Sequence, residues 1–229
     1  MRVSIEGAMV LAHQSTRASM LMLAPRIDLC LDFANTVSWR GSKPQEGLNS
    51  LADLLGWCDT AGAQIKRSVR EYAAMLQNDS TRAAELFSEA IAIREAVYRI
   101  FYCAASGLPA GDGDLRHLNE ALKRAPMRAS VERTGAGFGW RVERAGPAAV
   151  TLLAPVLWSA ADLLVGPNLA RVRHCANDRC LWLFLDDSKT GTRRWCSMQS
   201  CGNRAKAHRH YLRQKRKRTD PRKSALSRR

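Results

Sequence analysis

Residues 175–204, CANDRCLWLFLDDSKTGTRRWCSMQSCGNR, decide the fold of the C-terminal third of the chain. They contain two Cys-x4-Cys pairs, Cys175 with Cys180 and Cys196 with Cys201, separated by fifteen residues. Two close pairs joined by a spacer of hairpin length are typical of a tetrahedral zinc site. Four protein ligands leave no open position for water, so we expect one structural zinc ion and no metal-dependent catalysis.

Two other interpretations of these cysteines exist. They could be adventitious or simply buried thiols, and His174, His208 or His210 could replace one of them as a ligand. The four-thiolate site is favoured because paired spacing is unusual for packing residues and four thiolates already complete the coordination. The other cysteines are expected to pack in the core: Cys30, Cys58 and Cys103.

The spacer and the residues after it predict the rest of a treble-clef finger. Residues 181–185 are apolar and β-prone, residues 186–191 are rich in turn formers, and residues 192–195 can return as a second strand. A helix is predicted from Ser197, with an apolar side that would pack against this hairpin. That side consists of Met198, Cys201, Ala205, His208 and Leu212.

Positive charge is concentrated at the C-terminal end. The formal net charge is +15, yet residues 1–169 carry 18 Lys and Arg against 17 Asp and Glu, whereas residues 170–229 carry 18 against 4. This distribution indicates a near-neutral body followed by a segment that binds a polyanion. The expected nucleic-acid contacts are Arg193, Arg194, Arg204, Lys206, Arg209, His210, Arg213, Lys215, Arg216, Lys217 and Arg218.

Residues 27–169 are predicted to form a mainly α-helical domain. Apolar residues recur at helical spacing over residues 51–58, after Ser50 as an N-cap, and over residues 80–101, before Gly107 as a C-cap residue. The second of these should be the central helix of the body.

Further elements follow it. A short helix is expected between Asp114 as its cap and Pro126, and another between Gly146 and Gly166 with a kink at Pro155. Residues 127–131 and 138–142 alternate apolar and polar side chains, which predicts a β-hairpin. The fold class is therefore mainly α, with a helical domain containing a β-hairpin and then a small zinc finger.

Residues 1–26 form an N-terminal extension with short apolar runs interrupted by His13, Gln14 and Arg17. Neither run reaches the length of a signal peptide or a membrane span. We therefore expect a cytoplasmic protein with no membrane partner, a compartment in which clustered thiols bind metal more often than they form disulfides.

The cysteine segment resembles the CGNR zinc finger, named after the tetrapeptide that stands here at residues 201–204. The resemblance includes the sequences CANDRC, LFLD, RRWCSM and CGNRAK. The body resembles the ABATE domain, a family associated with stress-induced transcription regulation, through LDFANT at residues 31–36, LADL at 51–54, IRE at 93–95 and LN at 118–119.

Together the resemblances cover about residues 27–215, and they imply a helical domain, a treble-clef finger and a bacterial regulatory role. Residues 1–26 lie outside the pattern, which suggests a later start at Met20 or Met22. The expected organisation is an extension over 1–26, an ABATE-like domain over 27–169, a finger over 170–212 and a basic, unstructured tail over 213–229.

Three functional hypotheses follow from the sequence. The leading one is a DNA-binding zinc-finger regulator whose helical body senses a small molecule or mediates oligomerisation. RNA or ribosome binding is second, because the basic end has no run of closely spaced aromatics for stacking bases. The third is an enzymatic activity in the body, but no nucleophile elbow, phosphate loop or catalytic metal triad is present, so we expect no enzyme.

A ligand pocket in the body is a related hypothesis. Asp32, Asn35 and Arg94 are polar residues that interrupt apolar stretches. If their side chains converge on an apolar cavity, they would form a small-molecule sensor site.

Overall fold

The computed structural model describes residues 19–61, 72, 74, 79–135, 137–143 and 146–219. The body is mostly helical, as predicted. Its elements are β1 Ser19–Met22, α1 Leu29–Ala34, β2 Val37–Ser38, β3 Gln45–Glu46, α2 Leu51–Thr60, α3 Ser80–Ala105, α4 Asp112–Arg124, β4 Arg128–Thr134, β5 Gly137–Glu143, α5 Ala149–Leu152 and α6 Ala154–Val165. A 3-10 turn, Pro167–Arg171, leads to β6 Val172–His174, β7 Leu183–Leu185, a π-helical turn Met198–Gly202 and α7 Asn203–Thr219.

Helix α3 is the central helix, as its long apolar pattern predicts. Asp79 caps its N-terminus by accepting a hydrogen bond from the Arg82 amide, and Gly107 follows its C-terminus with a φ of 68°. That left-handed conformation favours glycine, which explains why the helix ends there. The buried side of α3 packs against α1, α2, α4 and α5.

The shorter helices agree with the predicted positions, with one correction. Ser50 caps α2 by accepting from the Asp53 amide, as expected. Helix α4 begins at Asp112 after Gly111, so Asp114 lies inside the helix and is not its cap. The Asp114 carboxylate accepts hydrogen bonds from the Arg99 side chain instead. The predicted kink lies at Leu153, where α5 ends and α6 begins, with Pro155 in the first turn of α6.

The predicted β-hairpin is formed by β4 and β5, and β1 adds a third strand in the order β1-β5-β4. Strand β1 pairs antiparallel with β5, Ser19 opposite Glu143 and Met22 opposite Trp140. Part of the segment that the sequence placed in an N-terminal extension is therefore integrated into the sheet. A start at Met22 would remove most of this strand.

The main core contains residues from both the body and the C-terminal third. Val172 of β6 and Leu183 of β7 belong to the same buried cluster as residues of α1, α3 and α6.

Cys30 and Cys58 are buried in this cluster, and burial raises the pKa of each thiol to about 12, so both remain neutral packing residues. Cys103 is only half-buried. Within the part of the chain that the structure describes, no helix is both long and apolar enough to cross a membrane.

Candidate metal centre and nucleic-acid interface

The first cysteine pair lies in a turn between two short strands. Strands β6 and β7 pair antiparallel, with Val172 opposite Leu185 and His174 opposite Leu183. The Cys175 amide extends this pairing by donating to the Trp182 carbonyl at 2.8 Å. Residues 175–180 therefore form a knuckle, held at both ends by backbone hydrogen bonds.

This pairing corrects the predicted hairpin. Strand β7 pairs with β6, which precedes the knuckle, and residues 192–195 form no strand. The buried Asp186 carboxylate explains the difference, because it accepts hydrogen bonds from the amides of Ser188 and Arg193 and from the Ser188 hydroxyl. The Ser188 hydroxyl lowers the pKa of Asp186. The carboxylate thus closes residues 186–193 into a loop that cannot continue as a β-ladder.

The second cysteine pair reaches the knuckle by a separate route. The Ala176 amide donates to the Arg194 carbonyl at 2.8 Å, which brings Cys196 beside the knuckle. Ser197 then accepts from the Gln199 amide and begins the π-helical turn that contains Cys201. The last ligand therefore lies immediately before α7, as the treble-clef prediction required.

The four sulfur atoms have the spacing of a zinc site. The Sγ atoms of Cys175, Cys180, Cys196 and Cys201 all lie within 4.8 Å of one another, and those of Cys180 and Cys196 are 3.8 Å apart. Tetrahedral Zn²⁺ with Zn–S bonds of about 2.3 Å requires sulfur atoms about 3.8 Å apart. The residues therefore fit the metal, and the four cysteines form the zinc site of the finger.

Histidine does not enter this site. Among the described residues, the metal-binding group consists of the four cysteines alone. The His174 ring is tilted against the Tyr102 ring with centroids 5.1 Å apart, and His208 and His210 are exposed on α7. The alternative in which a histidine replaces a cysteine is therefore wrong.

The close approach of the sulfurs opposes ionisation of all four thiols while no metal is bound. Hydrogen bonds with the Cys175 and Cys180 sulfurs raise the pKa of Cys196, because these sulfurs share protons when no metal neutralises them. Zn²⁺ supplies the positive charge that allows all four to ionise. The Asn177 side chain also donates to the Cys201 sulfur at 3.4 Å, a contact that sequence reasoning missed.

Arg193 has a different place from the one expected of a nucleic-acid contact. Its half-buried guanidinium donates to the carbonyl oxygens of Trp195 and Cys196 and lies 4.6 Å from the Phe184 ring centroid. Arg193 therefore stabilises the loop that contains Cys196. Arg194 is exposed and lies over the Trp195 ring.

Over residues 203–215 of helix α7, every side chain except that of Ala205 is exposed. The 17 residues of α7 contain no Asp or Glu. The predicted apolar side does not pack as expected: Met198 is 52% exposed and Leu212 is 42% exposed, His208 is exposed, and only Cys201 and Ala205 of that set are buried or half-buried. The apolar residues are too few and too separated to hold the helix against the finger beyond its first turn.

The basic residues of α7 lie close together. Lys206, Arg209, His210 and Arg213 recur at spacings of three and four, which places them on one exposed face. Among the described residues, no carboxylate lies within ion-pair distance of Lys206, Arg209 or Arg213. The helix continues to Thr219, so part of the predicted unstructured tail, including Lys215, Arg216, Lys217 and Arg218, is helical.

Comparison with known families agrees with this architecture. The ABATE family model, described as "Putative stress-induced transcription regulator", matches residues 28–167. The chain belongs to the ABATE family. A second model, the CGNR zinc finger, matches residues 171–214, which include all four cysteine ligands. No curated protein matches the chain.

Asn35 connects the ABATE domain to the CGNR finger. Its buried side-chain amide donates to the Leu183 carbonyl at 2.8 Å and accepts from the Leu183 amide at 3.0 Å. The Tyr98 hydroxyl of α3 donates to the Leu181 carbonyl at 3.2 Å. Hydrogen bonds from side chains of the ABATE domain to backbone groups of the finger thus fix the finger to the domain, in addition to core packing.

The structure brings together only two of the three residues of the hypothesised ligand pocket. Asp32 and Asn35 line a cavity of about 710 Å³ beside α2, and Trp182 of the CGNR finger also lines it. Arg94 lies outside this cavity, where its buried guanidinium binds Glu46 and Glu95. The pocket of Asp32, Asn35 and Arg94 is therefore not formed, because Arg94 is occupied in ion pairs.

Proposed function

We propose that the protein is a transcription regulator that binds duplex DNA through the CGNR finger, with α7 as the main contact. The observation that carries the proposal is the exposed basic face of α7, which begins directly after the zinc ligand Cys201. The zinc site fixes the start of α7, so the Lys and Arg side chains of α7 have a defined position relative to the rest of the chain. The ABATE domain would then supply the regulatory input.

The dimensions and chemistry of α7 suit a DNA groove. A helix of 17 residues is about 25 Å long, and the major groove, about 12 Å wide, admits a helix of this kind. Arg209 and Arg213 can donate two parallel hydrogen bonds to phosphate or to the guanine edge. Lys206, placed on the same face, can act as a point charge for the phosphate backbone.

Salt dependence tests this proposal in the full-length, zinc-loaded protein. If five to eight phosphates are contacted, the slope of log affinity against log salt for duplex DNA should be about −4.5 to −7. Replacing both Arg209→Gln and Arg213→Gln should lower affinity at every salt concentration and flatten the slope by up to about 1.8, about 0.9 for each lost phosphate contact. Fluorescence anisotropy with a labelled duplex measures both quantities.

The matched control removes the same charge elsewhere. Arg116→Gln with Arg133→Gln changes two exposed residues of the ABATE domain and should leave the slope nearly unchanged. If the α7 variant and this control bind equally well, α7 is not the contact. If structured RNA competes far better than duplex DNA at the same salt concentration, RNA binding replaces DNA binding as the function.

A further inference from the structure

We propose that the cleft between residues 39–45 of the ABATE domain and the zinc finger binds phosphates of the DNA backbone. The inference rests on the proposed DNA-binding function and extends the interface beyond the finger. The cleft has a volume of about 730 Å³ and is lined by residues of the body loop, the cysteine knuckle and the first turns of α7. Both parts of the chain therefore contribute to one site.

The side chains around the cleft suit an anionic strand. Three cations, Lys43, Arg179 and Arg204, line it, together with one carboxylate, that of Asp178. The guanidinium carbon of Arg204 lies 4.6 Å from the centroid of the Trp39 ring. This cation–π contact restricts the position of the guanidinium and leaves its N–H groups available for phosphate oxygens.

The body loop is held tightly against the knuckle. A Cβ atom at residue 41 would lie 1.8 Å from the Asp178 carbonyl oxygen, so only glycine allows this approach. The Ser42 hydroxyl donates to the Arg179 carbonyl at 3.3 Å. Lys43 is therefore attached to a loop whose position is set by the zinc finger, and less conformational entropy is lost when it binds an anion.

Trp39 has a strained backbone at this point. Its φ is 56°, in the left-handed region that bulky side chains rarely adopt. Strain of this kind persists where the surrounding structure over-determines it, and it is concentrated at binding sites. Here the conformation packs the Trp39 ring against the cysteine cluster while Arg204 lies over it.

The cleft is continuous with the proposed DNA-binding helix. Arg204, Ala205 and His208 belong to the first turns of α7 and also line the cleft. If α7 occupies a groove of DNA, the phosphate backbone that borders this groove would therefore pass the cleft. Lys43 lies outside the finger sequence, so the footprint on DNA would include the ABATE domain.

The test compares salt slopes of full-length, zinc-loaded variants on a labelled duplex. Lys43→Gln with Arg179→Gln removes two cleft cations outside α7, and we expect the slope to flatten by about 1.8 and affinity in about 0.1 M salt to fall roughly tenfold or more. The control, Arg116→Gln with Arg133→Gln, lowers the net charge equally and should change the slope by less than about 0.5. Zinc content and melting temperature should match wild type in both variants.

The outcomes separate this inference from the proposed function. If Arg209→Gln with Arg213→Gln flattens the slope while the cleft variant behaves as the control, the cleft proposal is wrong and DNA binding by α7 stands. If the wild-type protein does not bind duplex DNA, both proposals are wrong.

A free nucleotide is the other source of a phosphate. AMP titrated without DNA would quench tryptophan fluorescence if it entered the cleft, because Trp39 and Trp195 line it. DNA would be overturned as the occupant by two results together. AMP would quench the fluorescence of the wild-type protein saturably but not that of the cleft variant, and the cleft variant would keep the wild-type salt slope for DNA. We expect no such quenching at micromolar AMP.

Discussion

At the scale of single residues, Asn35 has a structural role that its local sequence does not reveal. It stands in an apolar stretch, and a polar residue there predicts a ligand pocket as readily as a structural contact. Its hydrogen-bond partner, Leu183, lies 148 residues later in the chain. An amide side chain donates and accepts at once, so it satisfies both backbone groups of Leu183. Local pattern identifies such a residue as unusual but cannot identify its partner.

Replacing Asn35→Ala should therefore destabilise the protein. The substitution leaves the N–H and C=O groups of Leu183 buried without partners, which costs about 1–3 kcal/mol for each unsatisfied group. We expect the free energy of unfolding, measured by urea titration, to fall by about 2–3 kcal/mol. Asn119→Ala, an exposed change on α4, is the control and should stay within about 0.5 kcal/mol of wild type. Equal effects of the two substitutions would show that the Asn35 contact contributes little.

At the scale of elements, the helices and strand β7 could be predicted, and the strand that pairs with β7 could not. Helix α3 has a long apolar period and clear end signals, so its start and its glycine end follow from the sequence. Strand β6 has only three residues, Val172–His174, and no pattern separates it from the preceding turn. The sequence therefore offered residues 192–195 as the partner of β7. The hydrogen bonds that close the Asp186 loop become visible only in three dimensions.

Another contact between elements makes stability depend on pH. Arg94 of α3 binds Glu46 of β3 at 2.6 Å. Burial alone would raise the pKa of Glu46, but hydrogen bonds from the Arg94 side chain and the Leu48 amide outweigh it, and the pKa lies below its usual 4.5. A carboxyl group with a lowered pKa in the folded state stabilises the protein above its unfolded pKa. This stabilisation is lost as pH falls through the folded value.

Glu46→Gln measures this contribution. At pH 7 the free energy of unfolding of the variant should be about 1 kcal/mol lower than that of wild type. The difference is small because Glu46 is partly exposed to solvent. Below about pH 4.5 the difference should shrink, because protonated Glu46 resembles glutamine. Urea unfolding at a series of pH values tests this, with Glu85→Gln, an exposed change on α3, as the control. A difference that stays constant down to pH 3 would contradict the assignment.

At the scale of the whole molecule, charge and packing divide the chain differently. The excess positive charge lies almost entirely in residues 170–229, which suggested a separate finger. The core does not follow that division, because Val172 and Leu183 are buried with residues of α1 and α3. Composition reports what a surface can bind, whereas the core depends on contacts between distant residues. The four cysteine ligands could be predicted because their spacing is local to the finger.

The shared core predicts that zinc stabilises the whole chain. Cys196→Ser should reduce the zinc content from about one ion per chain to none, since three thiolates cannot complete the site. Loss of the knuckle should loosen β6 and β7, and a loss of about 3 kcal/mol would lower the melting temperature of the body by about 6–12 °C. Cys103→Ser, a half-buried change on α3 far from the metal ligands in sequence, is the control and should retain the zinc. Calorimetry with metal analysis decides the matter: if the body of Cys196→Ser melts at the wild-type temperature while zinc is absent, the finger and the body fold independently.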